Sequence, residues 1–169
     1  MQPRSARVLF AFTLSTAMIF RGAATAADLP KEGTYGGTYV AYGATKATPV
    51  GKERILMTFD ENGLSLGKGI ADRMTWHCFG LIEVVNGMGR NHGHCVGTDP
   101  EGDQTTMDYV SEKFTLGATA SVKVSVTLTG GVGKYAGISG GHTFVAESRP
   151  AADGTFFSYG TFQGNYKLP

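Results

Sequence analysis

Both cysteines, three of the four histidines and the single tryptophan of this chain lie in one stretch, residues 74–110, MTWHCFGLIEVVNGMGRNHGHCVGTDPEGDQTTMDYV. Their side chains permit three kinds of chemistry. His77, Cys78, His92, His94 and Cys95 are donor types for a metal. Two thiols in an oxidising compartment form a disulfide. His94 with Asp108 has the composition of a general base oriented by a carboxylate. The order H-C…H-x-H-C is not an established zinc spacing, and on a strand the cysteines point away from the histidines. The expectation is therefore a Cys78–Cys95 disulfide and no metal site. His77, His92 and His94 remain as a histidine-only alternative suited to zinc or copper. Asp99, Glu101 and Asp103 in TDPEGDQ resemble calcium ligands by type, but the segment is too short for the twelve-residue EF-hand loop.

Positioning these groups requires a hairpin. Asn86-Gly87 is the dipeptide that best supplies the two positive-φ positions of a type I′ turn. With those two residues as the loop, Val85 faces Met88, Glu83 faces Arg90, and Cys78 falls opposite Cys95 in a non-hydrogen-bonded pair, where side chains approach most closely. A looser loop, NGMGRNHG, would shift the register and still leave the cysteines near one another. The second turn, Asp99-Pro100-Glu101-Gly102, has Pro and Gly where a type I turn with a following bulge uses them. It sets His94 opposite Asp108 and Cys95 opposite Met107. One face then holds Met74, Trp76, Cys78, Ile82, Val84, Cys95, Met107 and Tyr109. The other holds His77, Phe79, Leu81, His92, His94, Thr106 and Asp108. A slip of one residue would exchange the two faces.

The amino terminus, MQPRSARVLFAFTLSTAMIFRGAATAADLP, reads as a cleaved secretory signal over residues 1–26. It has Arg4 and Arg7, an apolar run at 8–20, and Ala24-Thr25-Ala26 as the small-residue cleavage pattern. The run is too short to span a bilayer comfortably, so no membrane span is expected in the mature chain, which would be secreted or periplasmic. Residues 27–169 make one domain, large enough to bury a core. A net charge of +1 without basic runs gives no footprint for nucleic acid.

The remaining chain reads as strands. Residues 32–42 form a first strand and 43–51 a polar connector. Ile55, Met57 and Phe59 alternate along 54–60, residues 60–63 (DENG) read as a turn, and 64–68 continue beyond it. Residues 111–119 have no clear period. ASVKVSVTLT, at 120–129, alternates Val122, Val124, Val126 and Leu128 against polar residues, as a half-buried antiparallel strand does. A glycine-rich corner leads to a strand at 142–147, then a turn at 149–154 and a long strand at 155–167. No amphipathic helical period occurs after the signal. Eight or nine short strands at hairpin spacing imply an all-β fold, an up-and-down barrel or a sandwich; closure, which leaves no exposed edge, and the repeated glycines favour a single antiparallel barrel of about eight strands.

At LTGGVGKYAGISGGHTF the chain resembles the allene oxide cyclase-like barrels, whose calycin-like shape the dirigent proteins share. The pattern is a valine-alternating strand, then G-x-G-K-Y-x-G-I-x-G, then another strand, and it covers residues 122–144. Gly131, Gly133, Gly137 and Gly140 correspond to the turn that narrows such barrels. The resemblance implies a calycin-like barrel with an apolar cavity, a possible homo-oligomer, and chemistry on reactive or apolar small molecules without a cofactor. No catalytic residue of those enzymes maps onto this sequence by motif.

The leading expectation is thus a secreted or periplasmic barrel that binds a small apolar molecule, with Trp76, Met107, Tyr109, Tyr35 and Phe59 as cavity-lining candidates. The alternatives are a cofactor-free isomerase or cyclase, with His94 and Asp108 as catalytic candidates should their face line the cavity, and a structural envelope protein with a filled barrel. No serine nucleophile elbow, Walker loop or dinucleotide fingerprint is present.

Overall fold

A computed structural model describes residues 29–169, and the expected signal segment, residues 1–26, lies outside them. The described chain is an antiparallel meander of long strands: β1 (Glu32–Pro49), β2 (Arg54–Lys68), β3 (Thr75–Val85), β4 (Met88–Thr98), β5 (Gln104–Ser111), the two-residue β6 (Phe114–Thr115), β7 (Ala120–Val132), β8 (Ser139–Pro150) and β9 (Thr155–Lys167). Each long strand pairs with its chain neighbours, and β9 returns to pair with β1. The result is a closed eight-stranded barrel to which β6 adds a short pairing on β4. The all-β, calycin-like expectation holds.

The central hairpin has the register that its turn dictates. Asn86 and Gly87 both take positive φ, 52° and 77°, as a type I′ turn requires. Val85 then faces Met88 and Cys78 faces Cys95, and the two cysteines are joined in a disulfide with Cα atoms 4.1 Å apart. The second turn places His94 opposite Asp108 and Cys95 opposite Met107. Glu83 lies opposite Arg90 in register, but its carboxylate pairs with Arg54 of β2 at 2.5 Å.

Two expectations about local structure fail. Residues 43–51 are mostly strand, with β1 running to Pro49, and residues 60–63 sit in the middle of β2 instead of turning. Asn62 and Gly63 pair with Tyr42 and Ala41 on one side and with His77 and Trp76 on the other. Ladder bonds on both flanks outweigh the local turn preference of DENG. Gly63 is required there for space: a Cβ at that position would run into the Trp76 ring.

One end of the barrel is filled. Tyr35, Ile70, Ala71, Met74, Leu128, Tyr135, Ile138 and Tyr166 form a buried cluster there, supported by short 3-10 turns at Gly69–Ala71 and Gly133–Tyr135. Asp99 anchors this end. Its carboxylate accepts hydrogen bonds from Tyr135 Oη at 2.9 Å and from the backbone N–H groups of Glu101 and Asp103, and Lys134 Nζ lies 2.6 Å away. Burial works against its charge, but Lys134, Tyr135 and the Asp103 backbone together hold the carboxyl below its ordinary range. Lys134 thus pairs with both Asp99 and Glu101 of the acidic segment TDPEGDQ.

Candidate functional site

Beyond the filled end, whose Tyr35, Ile70, Met74 and Leu128 form the floor, the inward face of the barrel lines an open-mouthed cavity of about 260 Å³. The wall follows from period-two alternation. β7 contributes Val122 and Val124, β8 contributes Phe144 and Ala146, and β2 contributes Met57 and Phe59. The connection around Leu116 and the β8–β9 turn around Ala151 and Gly154 ring the rim, opposite the filled end. All five residues expected to line a cavity, Tyr35, Phe59, Trp76, Met107 and Tyr109, are on this wall. The disulfide also contributes to it, with Cys78 and Cys95 packed among Phe59, Tyr109, Val122 and Val124.

The catalytic candidates are elsewhere. His94 Nδ1 and Asp108 Oδ1 do meet, at 2.7 Å, but on the outer wall, with side chains 65% and 54% exposed. The condition for that pair to act as a base on bound substrate was that its face line the cavity, and it does not. A convex, wet wall offers nothing to hold a substrate beside the imidazole. The histidine-only metal set also fails to converge. His77 Nε2 bonds Asp60 Oδ2 at 2.8 Å, His94 bonds Asp108, and the Phe79 ring lies between the two imidazoles, 5.7 Å and 6.0 Å from their centroids. Among the described residues no group of three or more His, Cys, Asp or Glu side chains is placed to hold a metal ion.

The wall contains a different polar cluster, centred on Glu61. The alternation of β2 continues inward through Met57, Phe59, Glu61 and Ser65, so Glu61 occupies a position that periodicity assigns to the core. Its Oε1 is buried without a hydrogen-bond partner. Ser158 of β9 is beside it, and Tyr39 Oη is 3.1 Å from Ser158 Oγ. Tyr109 reaches across the Gly80–Gly93 pair of β3 and β4, where a Cβ on either glycine would collide with its hydroxyl. That hydroxyl and Asn91 Oδ1 are the other two buried cavity-wall atoms without a partner.

Burial lifts the Glu61 carboxyl to about 7, with the Ser158 hydroxyl acting in the opposite direction. Tyr39 and Tyr109 are pushed upward by burial first and then by the nearby Glu61 charge. A second polar pair is set against the filled end: Tyr35 Oη is hydrogen-bonded to His142 Nδ1 at 2.8 Å. Burial draws His142 down to about 4, so its ring is neutral near pH 7. The Phe162 ring lies tilted 4.9 Å from His142 and 6.5 Å from Tyr39, linking the two polar places through aromatic surface.

Glu61, Ser158, Asn91 and His142 are among the polar wall residues that sequence reasoning missed. A usable signal for Glu61 was present. Counting two residues on from Ile55, Met57 and Phe59 lands on it, and a carboxylate at a core phase is informative. Reading DENG as a turn removed it from view.

No protein-family model matches the chain, and no curated protein matches it.

Proposed function

We propose that this protein is an exported β-barrel that binds a small, largely apolar molecule in its cavity. The observation that carries the reading is the cavity itself: about 260 Å³, walled by aromatic, valine and methionine side chains around a few polar atoms without partners. Ligand sites are characteristically apolar with a small number of placed polar groups. An apolar cavity of about 150 Å³ accepts benzene, so this one has room for a bicyclic ring or an eight-carbon chain. Such a space argues against the filled-barrel alternative. Export is supported by the signal-like amino terminus and by the disulfide, which belongs to an oxidising compartment. No helix among the described residues is long and apolar enough to cross a membrane.

A cofactor-free isomerase or cyclase is the second reading, and Glu61 favours it. A carboxyl that titrates near neutral pH against an apolar wall is suited to giving or taking a proton. The likeness of residues 122–144 to allene oxide cyclase-like barrels supports the same reading by analogy of fold. His94 and Asp108 have no part in it.

Trp76, the only tryptophan, lies on the cavity wall and reports occupancy directly. Titration with 1-octanol is expected to give a saturable change in its emission. Ala146→Phe, which fills the cavity from β8, is expected to weaken binding by about tenfold, the size of a typical overpacking cost. A response that rises linearly, or one that Ala146→Phe leaves unchanged, would place the alcohol outside the barrel and contradict the reading.

A further inference from the structure

The cavity is one-sided in charge. Glu61 is the only Asp, Glu, Lys or Arg among the described residues of its wall. The imidazole there, His142, is bonded through Nδ1 to Tyr35 Oη. Three polar atoms of these wall residues are buried without a partner. Glu61 Oε1 and Asn91 Oδ1 are acceptors, and Tyr109 Oη can accept as well as donate. A molecule that enters meets one carboxyl and no Lys or Arg on the described wall.

Three kinds of polar group on an apolar body can be compared at this wall. A carboxylate brings a second negative charge beside Glu61 in a medium of low dielectric, where the repulsion is strong. A hydroxyl donates one hydrogen bond and leaves the Glu61 charge uncompensated. An ammonium has three donors, no acceptor and the opposite charge. We infer that the cavity receives a lipophilic amine, its ammonium group held by Glu61 and its hydrocarbon body against Phe59, Val122 and Val124. This inference rests on the cavity being a binding site, and it names the class of molecule bound there.

The pH dependence has a definite sign. The groups that face Glu61 are Tyr39 from β1, Tyr109 from β5 and Ser158 from β9, while β3 presents Trp76 and the disulfide-bonded Cys78. Both tyrosines are pushed upward, so Glu61 alone among these changes charge between pH 5 and 8. An alkylamine stays protonated throughout that range, as a lysine does. Affinity for the amine therefore rises with pH until Glu61 is ionised, and binding below pH 7 releases a proton from its carboxyl.

The test is calorimetric titration of octylamine, 1-octanol and octanoate into wild type and Glu61→Gln at pH 6 and pH 8. At pH 8 octylamine is expected to bind wild type about tenfold more tightly than 1-octanol, the margin of a charge-assisted over a neutral hydrogen bond. That preference is expected to shrink at pH 6. Glu61→Gln is expected to abolish it, bringing octylamine down to the affinity that the same variant has for 1-octanol. A melting scan verifies that the variant is folded. If 1-octanol or octanoate binds at least as well as octylamine at pH 8, or if Glu61→Gln keeps the preference, the amine inference falls and cavity binding stands. If none of the three binds, both fall.

Discussion

Glu61→Gln is expected to stabilise the protein at pH 8, and His142→Gln to destabilise it there, with the two differences changing in opposite senses as pH is lowered. Glu61 has a folded value of about 7, raised from 4.5, so the folded state holds the proton more tightly than the unfolded chain does. Its favourable contribution is complete below pH 4.5 and is lost as pH rises through 7. Above that, keeping the carboxylate buried costs up to roughly 3 kcal/mol, which the glutamine avoids. His142 runs the other way. Its folded value of about 4, lowered from 6.5, makes its contribution complete above pH 6.5 and lost as pH falls through 4. The limit is again roughly 3 kcal/mol. Between pH 4.5 and 6.5 the two slopes oppose one another in wild type.

Chemical denaturation of wild type and both variants across pH 4.5 to 8 measures these differences. The stability of Glu61→Gln relative to wild type should rise with pH by about 1.4 kcal/mol per unit through the window. That of His142→Gln should fall with the same steepness. At pH 8 the Glu61→Gln gain corresponds to a melting temperature higher by several degrees, at about 3 °C for each kcal/mol. Parallel profiles for all three proteins would mean that Glu61 and His142 face water, and the closed cavity wall would be wrong.

Breaking the disulfide is expected to cost a comparable amount by another route. The bridge spans 17 residues, and closing a loop of that size restricts the unfolded chain by roughly 3 kcal/mol on the entropy model. The sulfurs also belong to the cavity wall, packed on Phe59, Tyr109 and Val124, so Cys78→Ala removes core contact as well. Denaturation of oxidised wild type against the double variant Cys78→Ala/Cys95→Ala, which leaves no free thiol, is expected to show a loss of about 3 kcal/mol or slightly more. Equal stability, together with titratable thiols in the wild-type protein, would contradict the register of β3 on β4.

The parts of the structure that were legible in the sequence are those where independent signals converge on one register. Asn86-Gly87 as a turn and Cys78 facing Cys95 each imply the same pairing, and the structure has it. The Asp99-Pro100-Glu101-Gly102 turn then set β5, which brought Met107 and Tyr109 to the inside and Asp108 to the outside. Alternation through Val122, Val124 and Leu128 marks the wall of β7, while strand number and spacing allow a barrel or a sandwich, and the pairing of β9 with β1 makes it the barrel.

What was not legible depended on pairing partners remote in sequence. DENG reads locally as a turn, yet β1 and β3 hold it extended from both sides. Continuing the strand is what turns Glu61 inward. The same error shortened β1, because the polar residues after Gly43 look like a connector until β2 pairs with them. His142 lies beyond a glycine-rich corner whose geometry no local pattern fixes, and its inward orientation depends on pairing with both Val126 and Gly164. The outward His94–Asp108 pair has the opposite lesson. Its contact was legible from the turns, but which side of the barrel was wet depended on the whole sheet closing.

Native mass spectrometry of the protein taken from the exported fraction, repeated after incubation with octylamine and after denaturation, tests cavity binding most directly. The expected result is a chain two hydrogens lighter than its reduced mass that retains one small organic molecule under native conditions and loses it on unfolding. Ala146→Phe should retain clearly less of it. A bare chain both before and after incubation, or an adduct that Ala146→Phe retains equally well, would contradict a ligand site inside the barrel.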